Sequence, residues 1–74
     1  MKTDRTQIMK EINKVMTQVV ALSVRVDSYD ISSCGGEMIQ LTIYDVWGKY
    51  IDCTIGTPYE VLCSAKLWLY PLLD

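Results

Sequence analysis

Two alternating runs around a single break constrain this chain most. Ile39, Leu41 and Ile43 alternate with Met38, Gln40, Thr42 and Tyr44. After Val46-Trp47-Gly48, the residues Ile51, Cys53 and Ile55 alternate with Tyr50, Asp52 and Thr54. A period of two sends successive side chains to opposite faces of a strand, so each run reads as a half-buried strand and the break as a tight turn. Loop length then fixes the register. A two-residue loop at Trp47-Gly48 pairs Ile43 with Asp52 and puts a carboxylate on the apolar face. A three-residue loop, 46–48, pairs Ile43 with Ile51, Leu41 with Cys53 and Ile39 with Ile55, and sets Tyr44 opposite Tyr50 on the other face. Three-residue hairpins commonly end on a left-handed residue, and Gly48 holds that position. The expectation is therefore Ile43 facing Ile51, with positive φ at Gly48.

The flanks supply the other elements. Ile8, Ile12, Val15 and Val19, with Met9 and Met16 beside them, recur at helical spacing and predict a helix over about 4–19, with Asp4 and Gln7 as a candidate cap. Leu22, Val24 and Val26 alternate with Ser23, Arg25 and Asp27, which predicts a strand over 22–29, and Ile31-Ser-Ser-Cys-Gly-Gly-Glu37 reads as a loop. Thr57-Pro58-Tyr59-Glu60 is a capping box with proline at the first helical position. Its helix should run to about Leu69 before Pro71 stops it. The order α-β-β-β-α points to one α+β domain over 1–74: two layers, a three-stranded antiparallel sheet with both helices on one face. The expected inner sheet face is Leu22, Val24, Val26, Ile39, Leu41, Ile43, Ile51, Cys53 and Ile55. The helices add Ile8, Ile12, Val15, Val19, Val61, Leu62, Ala65, Trp68 and Leu69.

A 74-residue chain buries only about 60% of its unfolded surface, so a support beyond the core is expected. Cys34, Cys53 and Cys63 are odd in number and widely spaced, with no histidine, which argues against a disulfide framework or a zinc site and for a reduced, cytoplasmic setting. No cofactor is implied. The uncharged run Val15–Val24 is too short to span a bilayer, and the first residues lack the apolar stretch of a signal peptide, so no membrane association is expected. Association with a partner or a second copy remains as the support.

Chemistry is sparse. Without histidine the usual general base near neutral pH is missing. Asp27 and Asp52 are a conceivable carboxylate pair on the outer sheet face, and Ser32-Ser33-Cys34-Gly35-Gly36 holds nucleophile-type residues, but exposed strand carboxylates and polar hairpin loops are ordinarily solubilising. A non-enzymatic role is expected, with no catalytic residue and no metal. Nucleic-acid binding is the alternative. Lys2, Arg5, Lys10 and Lys14 against Asp4 and Glu11 give residues 1–22 a charge of +2, whereas residues 23–74 carry −4 and oppose a phosphate backbone.

Two surfaces suit protein binding. The outer sheet face should show Ser23, Arg25, Asp27, Tyr29, Gln40, Thr42, Tyr44, Tyr50, Asp52 and Thr54. Tyr29, Tyr44 and Tyr50 offer contact area at low entropic cost. The C-terminal helix carries a core stripe, Val61, Leu62, Ala65, Trp68 and Leu69, and a second apolar stripe, Tyr59, Cys63, Leu67 and Tyr70. A helix apolar all round must be covered on more than one side. Leu67, Trp68 and Tyr70 are the expected contacts of a homodimer or of a larger protein target. The expected role is thus a small acidic protein-interaction module, an inhibitor or adaptor of the kind phages and mobile elements carry.

Overall fold

The computed structural model describes residues 2–73, apart from the side chains of residues 2–4. The elements are α1 (Lys2–Leu22), β1 (Ser28–Ser33), β2 (Ile39–Tyr44), β3 (Tyr50–Gly56) and α2 (Pro58–Leu69), closed by a 3₁₀ turn (Tyr70–Leu72). The strands form one antiparallel sheet in the order β1-β2-β3. Ile39, Leu41 and Ile43 of β2 join Ile12, Met16 and Val19 of α1 and Val61, Leu62, Ala65 and Leu69 of α2 in one buried cluster. The principal extents are 36 × 25 × 14 Å. The α-β-β-β-α order stands.

α1 outruns its expected end by three residues because nothing before Ser23 breaks it. The proposed cap at Asp4 lies outside the described side chains. The Ser23 amide makes the last helical bond, to the Val19 carbonyl at 2.9 Å, and its hydroxyl then accepts from the amides of Arg25 and Val26, both at 3.1 Å. A serine hydroxyl that takes up two amides offers the backbone an alternative to a ladder. Segment 23–27 is consequently a turn, and β1 begins at Ser28 rather than Leu22. The alternation of Leu22, Val24 and Val26 is therefore not a strand: Val26 is buried, but Leu22 is half exposed and Val24 is 97% exposed. Burying Val24 would be worth roughly 1.5–3 kcal/mol, and two hydrogen bonds at about 0.5–1.5 kcal/mol each match that. Residues 31–33, expected in a loop, complete β1. The loop shrinks to Cys34–Met38, where Gly35 and Gly36 take φ of +99° and +57°.

The β2–β3 turn forms as expected, and the register beyond it does not. Gly48 has φ +76°. Its amide donates to the Asp45 carbonyl at 3.0 Å, and the Asp45 amide donates to the Lys49 carbonyl at 2.8 Å. Asp45 Oδ1 accepts from the amides of Trp47 and Lys49, both at 2.9 Å. Tyr44 pairs with Tyr50. Ile43 then pairs with Asp52, Leu41 with Thr54 and Ile39 with Gly56, so the Ile43–Ile51, Leu41–Cys53 and Ile39–Ile55 pairs do not form.

The cause is a conflict of parity. The turn holds Tyr50 on the outer face, whereas the sharp rise into α2 needs Gly56 on the inner face, where a Cβ would lie 2.9 Å from Glu60 Oε1 and 3.2 Å from its Cβ. Residues 50 and 56 share parity, so regular alternation cannot satisfy both. A bulge with Ile51 as the extra residue resolves it. Cys53 and Ile55 thereby move to the outer face, half-buried and exposed respectively, while Asp52 and Thr54 move inward.

α2 carries the full capping box. Thr57 Oγ1 accepts from the Glu60 amide at 3.4 Å, and Glu60 Oε1 accepts from the Thr57 amide at 2.9 Å. That amide bond, and then the bond from the Thr57 hydroxyl, hold the Glu60 carboxyl below its ordinary pKa. The helix ends at Leu69, and Pro71 falls in the 3₁₀ turn, as expected.

Two outcomes check this account. A Cβ at Gly48 meets nothing within 4 Å, so substitutions there report backbone conformation alone. Gly48→Val should lower the melting temperature more than Gly48→Asn, since a left-handed non-glycine residue costs about 1–2 kcal/mol and asparagine bears it best. Equal melting temperatures would count against the turn. For Glu60, folding lowers the pKa, so its stabilising contribution is complete above the ordinary glutamate value and is lost as pH falls through the lowered one. Glu60→Gln should destabilise at neutral pH, and the gap from wild type should close as acid protonates Glu60. A gap constant down to pH below both values would contradict the capping assignment.

Candidate functional site

The apolar residues of α2 divide into three sectors. Val61, Leu62, Ala65 and Leu69 are buried against β2, β3 and α1. Trp68 lies at the margin, half-buried against the core, with the Arg25 guanidinium carbon 5.9 Å from its ring centroid. The third sector is open: Tyr59 is 65% exposed, Leu67 72% and Tyr70 55%, with Cys63 exposed between them and Leu73 just beyond. Helix periodicity brings residues 59, 63, 67 and 70 within an arc of about 80°. The sheet occupies one side of α2 and α1 another, so no part of the described chain remains to cover this arc.

The outer sheet face divides the three tyrosines. Tyr44 and Tyr50 stand opposite one another, Tyr44 half-buried and Tyr50 exposed. Tyr29 does not join them. It pairs with Ile43 on the inner face, and its hydroxyl donates to Asn13 Oδ1 of α1 at 2.8 Å. The earlier start assigned to β1 had inverted its parity, and Tyr29 ties α1 to the sheet. Ser23 and Arg25 belong to the turn, and Asp52 and Thr54 are on the inner face, so they too leave the outer surface. Ser28, Asp30, Ser32, Cys53 and Ile55 take their place around Gln40 and Thr42, whose side chains are linked at 3.2 Å.

The basic residues of α1 do not form one stripe. Lys10 and Lys14 are exposed, but Arg5 is half-buried and lies about 140° and 180° around the helix from them. The side chain of Lys2 lies outside the described residues. Nor do the carboxylates converge. Asp27 precedes β1 and Asp52 is on β3, with β2 between them. That is two strand spacings of roughly 4.8 Å. Asp52 Oδ1 instead accepts from the Cys53 amide at 2.9 Å, occupying one donor of an edge strand. Cys34 is exposed, its Sγ 3.6 Å from Gln40 Oε1. Among the described residues, no three Cys, Asp or Glu side chains converge on a point where a metal could sit, and no helix is long and apolar enough to cross a membrane.

One group was not singled out by sequence patterning. Trp47, at the hairpin tip, is 82% exposed beside Val46 and the exposed Val24. The available signal was the position of Trp47, since a tip residue of a tight hairpin has no neighbouring strand to bury it.

The chain matches no family model, no curated protein and no solved structure. Its surfaces are therefore read on their own chemistry.

Thiol labelling tests the face assignments. In folded protein, Cys34 and Cys63 should react with iodoacetamide before Cys53. Cys53 should still react by local exposure on the outer face, at a rate insensitive to low denaturant. Modification of Cys53 only through global unfolding would restore it to the core and overturn the bulged register.

Proposed function

We propose that this chain is a small non-enzymatic protein-interaction module, of inhibitor or adaptor type, that works as a homodimer through the open sector of α2. The observation that carries the reading is the exposure of Tyr59, Leu67 and Tyr70 on one continuous arc of a helix whose other sides are packed. Aromatic side chains present about 150–250 Å² each. At these exposures, the arc with Cys63 and Leu73 offers on the order of 500 Å², near the upper end of apolar patches on monomers. Two copies would bury about twice that, which reaches the roughly 1,000 Å² a specific interface requires. A two-fold interface uses every residue twice. Between Glu60 and Leu73 the helix carries one charge, Lys66, so self-pairing meets little like-charge repulsion.

Size exclusion with light scattering tests it. The wild type should run as a dimer at micromolar concentration. Leu67→Glu with Tyr70→Lys should run as a monomer and keep its cooperative melt, because neither side chain belongs to the core. Each buried Leu or Tyr is worth roughly 1.5–3 kcal/mol, so losing two per protomer should shift the dimer dissociation constant by several orders of magnitude. A wild-type monomer at high micromolar concentration would defeat the homodimer.

A further inference from the structure

A second surface shares no residue with the α2 arc. The 23–27 turn and the tip of the β2–β3 hairpin flank an open groove of about 430 Å³ lined by Val24, Arg25, Asp45, Val46, Trp47, Tyr50 and Ile51. Two of its apolar side chains serve no internal packing, whereas Ile51 packs against the core. Val24 is almost wholly exposed, and Trp47 sits at a turn position whose geometry is set by Gly48 and by backbone bonds to Asp45. Any residue tolerant of a turn could serve there, so the fold does not require the indole.

The charges are unequal in availability. The Asp45 carboxylate is engaged with the amides of Trp47 and Lys49. Arg25 makes no ion pair among the described residues, and the Trp68 ring lies 5.9 Å from its guanidinium carbon. The groove thus combines two aromatic side chains, three aliphatic ones, one carboxylate that already accepts two backbone amides, and one exposed cation without an ion pair among the described residues. Trp, Tyr and Arg are the residue types that dominate binding energy at protein interfaces, and a guanidinium favours a carboxylate because it can make two parallel hydrogen bonds to it.

We propose that this groove docks a segment of a partner protein that presents a large apolar side chain beside an aspartate or glutamate. The apolar side chain lies against Trp47 and Tyr50, and the carboxylate pairs with Arg25. In the dimer, the two grooves would let one module hold two such segments, but the groove itself does not depend on dimerisation.

The test is selection of a phage-displayed random dodecapeptide library on the immobilised full chain, on Trp47→Ala and on Arg25→Glu. Peptides recovered on the wild type should place Asp or Glu within two positions of Leu, Phe or Trp. A synthetic copy of a recovered peptide should perturb Trp47 fluorescence in a Trp68→Phe background. Trp47→Ala should weaken its binding by about tenfold or more, Trp47→Phe should largely retain it, and Arg25→Glu should turn the selection towards Lys and Arg. All four substitutions are checked for a cooperative melt, and both tryptophan-to-phenylalanine changes keep an aromatic ring in place. Failure to enrich any peptide, enrichment without acidic bias, or binding indifferent to Trp47→Ala would overturn the proposal. So would a dimer dissociated by Trp47→Ala and not by Leu67→Glu with Tyr70→Lys, which would assign the groove to a second copy.

Discussion

Strand β2 is flanked on both edges, and its Ile39, Leu41 and Ile43 side chains share one buried cluster with residues of both helices. The other strands contribute less to the interior. β1 brings Tyr29 and Ile31 to partial burial, and β3 brings Ile51. With three large side chains from one strand carrying the sheet's share of the core, the helices must supply the rest. They do so by packing on each other as well as on the sheet, so one sector of α2 is taken by α1 and another by β2 and β3.

That economy governs what remains outside. A chain of this length has too little material to enclose an apolar helix on every side. The exposed arc of Tyr59, Leu67 and Tyr70 is the side of α2 left after α1 and the sheet have packed on the others. The open hairpin groove has a different origin. It follows from a turn that lifts Trp47 beyond the sheet, and from a Ser23 turn that turns Val24 away from it. The two surfaces differ in chemistry as well: the α2 arc is almost uncharged, whereas the groove carries Arg25 and Asp45.

The bulge at Ile51 shows how local rules collide in a small protein. Turn chemistry places Tyr50 opposite Tyr44, and the capping box of α2 begins one residue after Gly56. Each signal is correct in its own neighbourhood. Together they require an even number of steps to exchange the faces of the strand, which a regular strand cannot do. An inserted residue solves this at little cost on an edge strand, where Asp52 can bend its carboxylate back to the Cys53 amide.

Local patterning specifies both helices, the central strand, the α+β class, the left-handed Gly48, the Thr57–Glu60 cap and the division of α2 into a core stripe and a second stripe that stays exposed. These are readable because they rest on contacts within about four residues or on a periodicity that a single element carries alone. Tertiary structure decided the start of β1, the register of β3, and with them the faces of Tyr29, Asp52 and Cys53. A strand's faces depend on which partner residue it meets, and a one-residue change inverts all of them. The Leu22–Val26 alternation was ambiguous for the same reason: period two describes a strand, but only the Ser23 hydroxyl, in competition with the sheet, made it a turn. The separation of Arg5 from Lys10 and Lys14, by contrast, follows from helix periodicity alone; packing decided only that Arg5 is half-buried and the two lysines exposed.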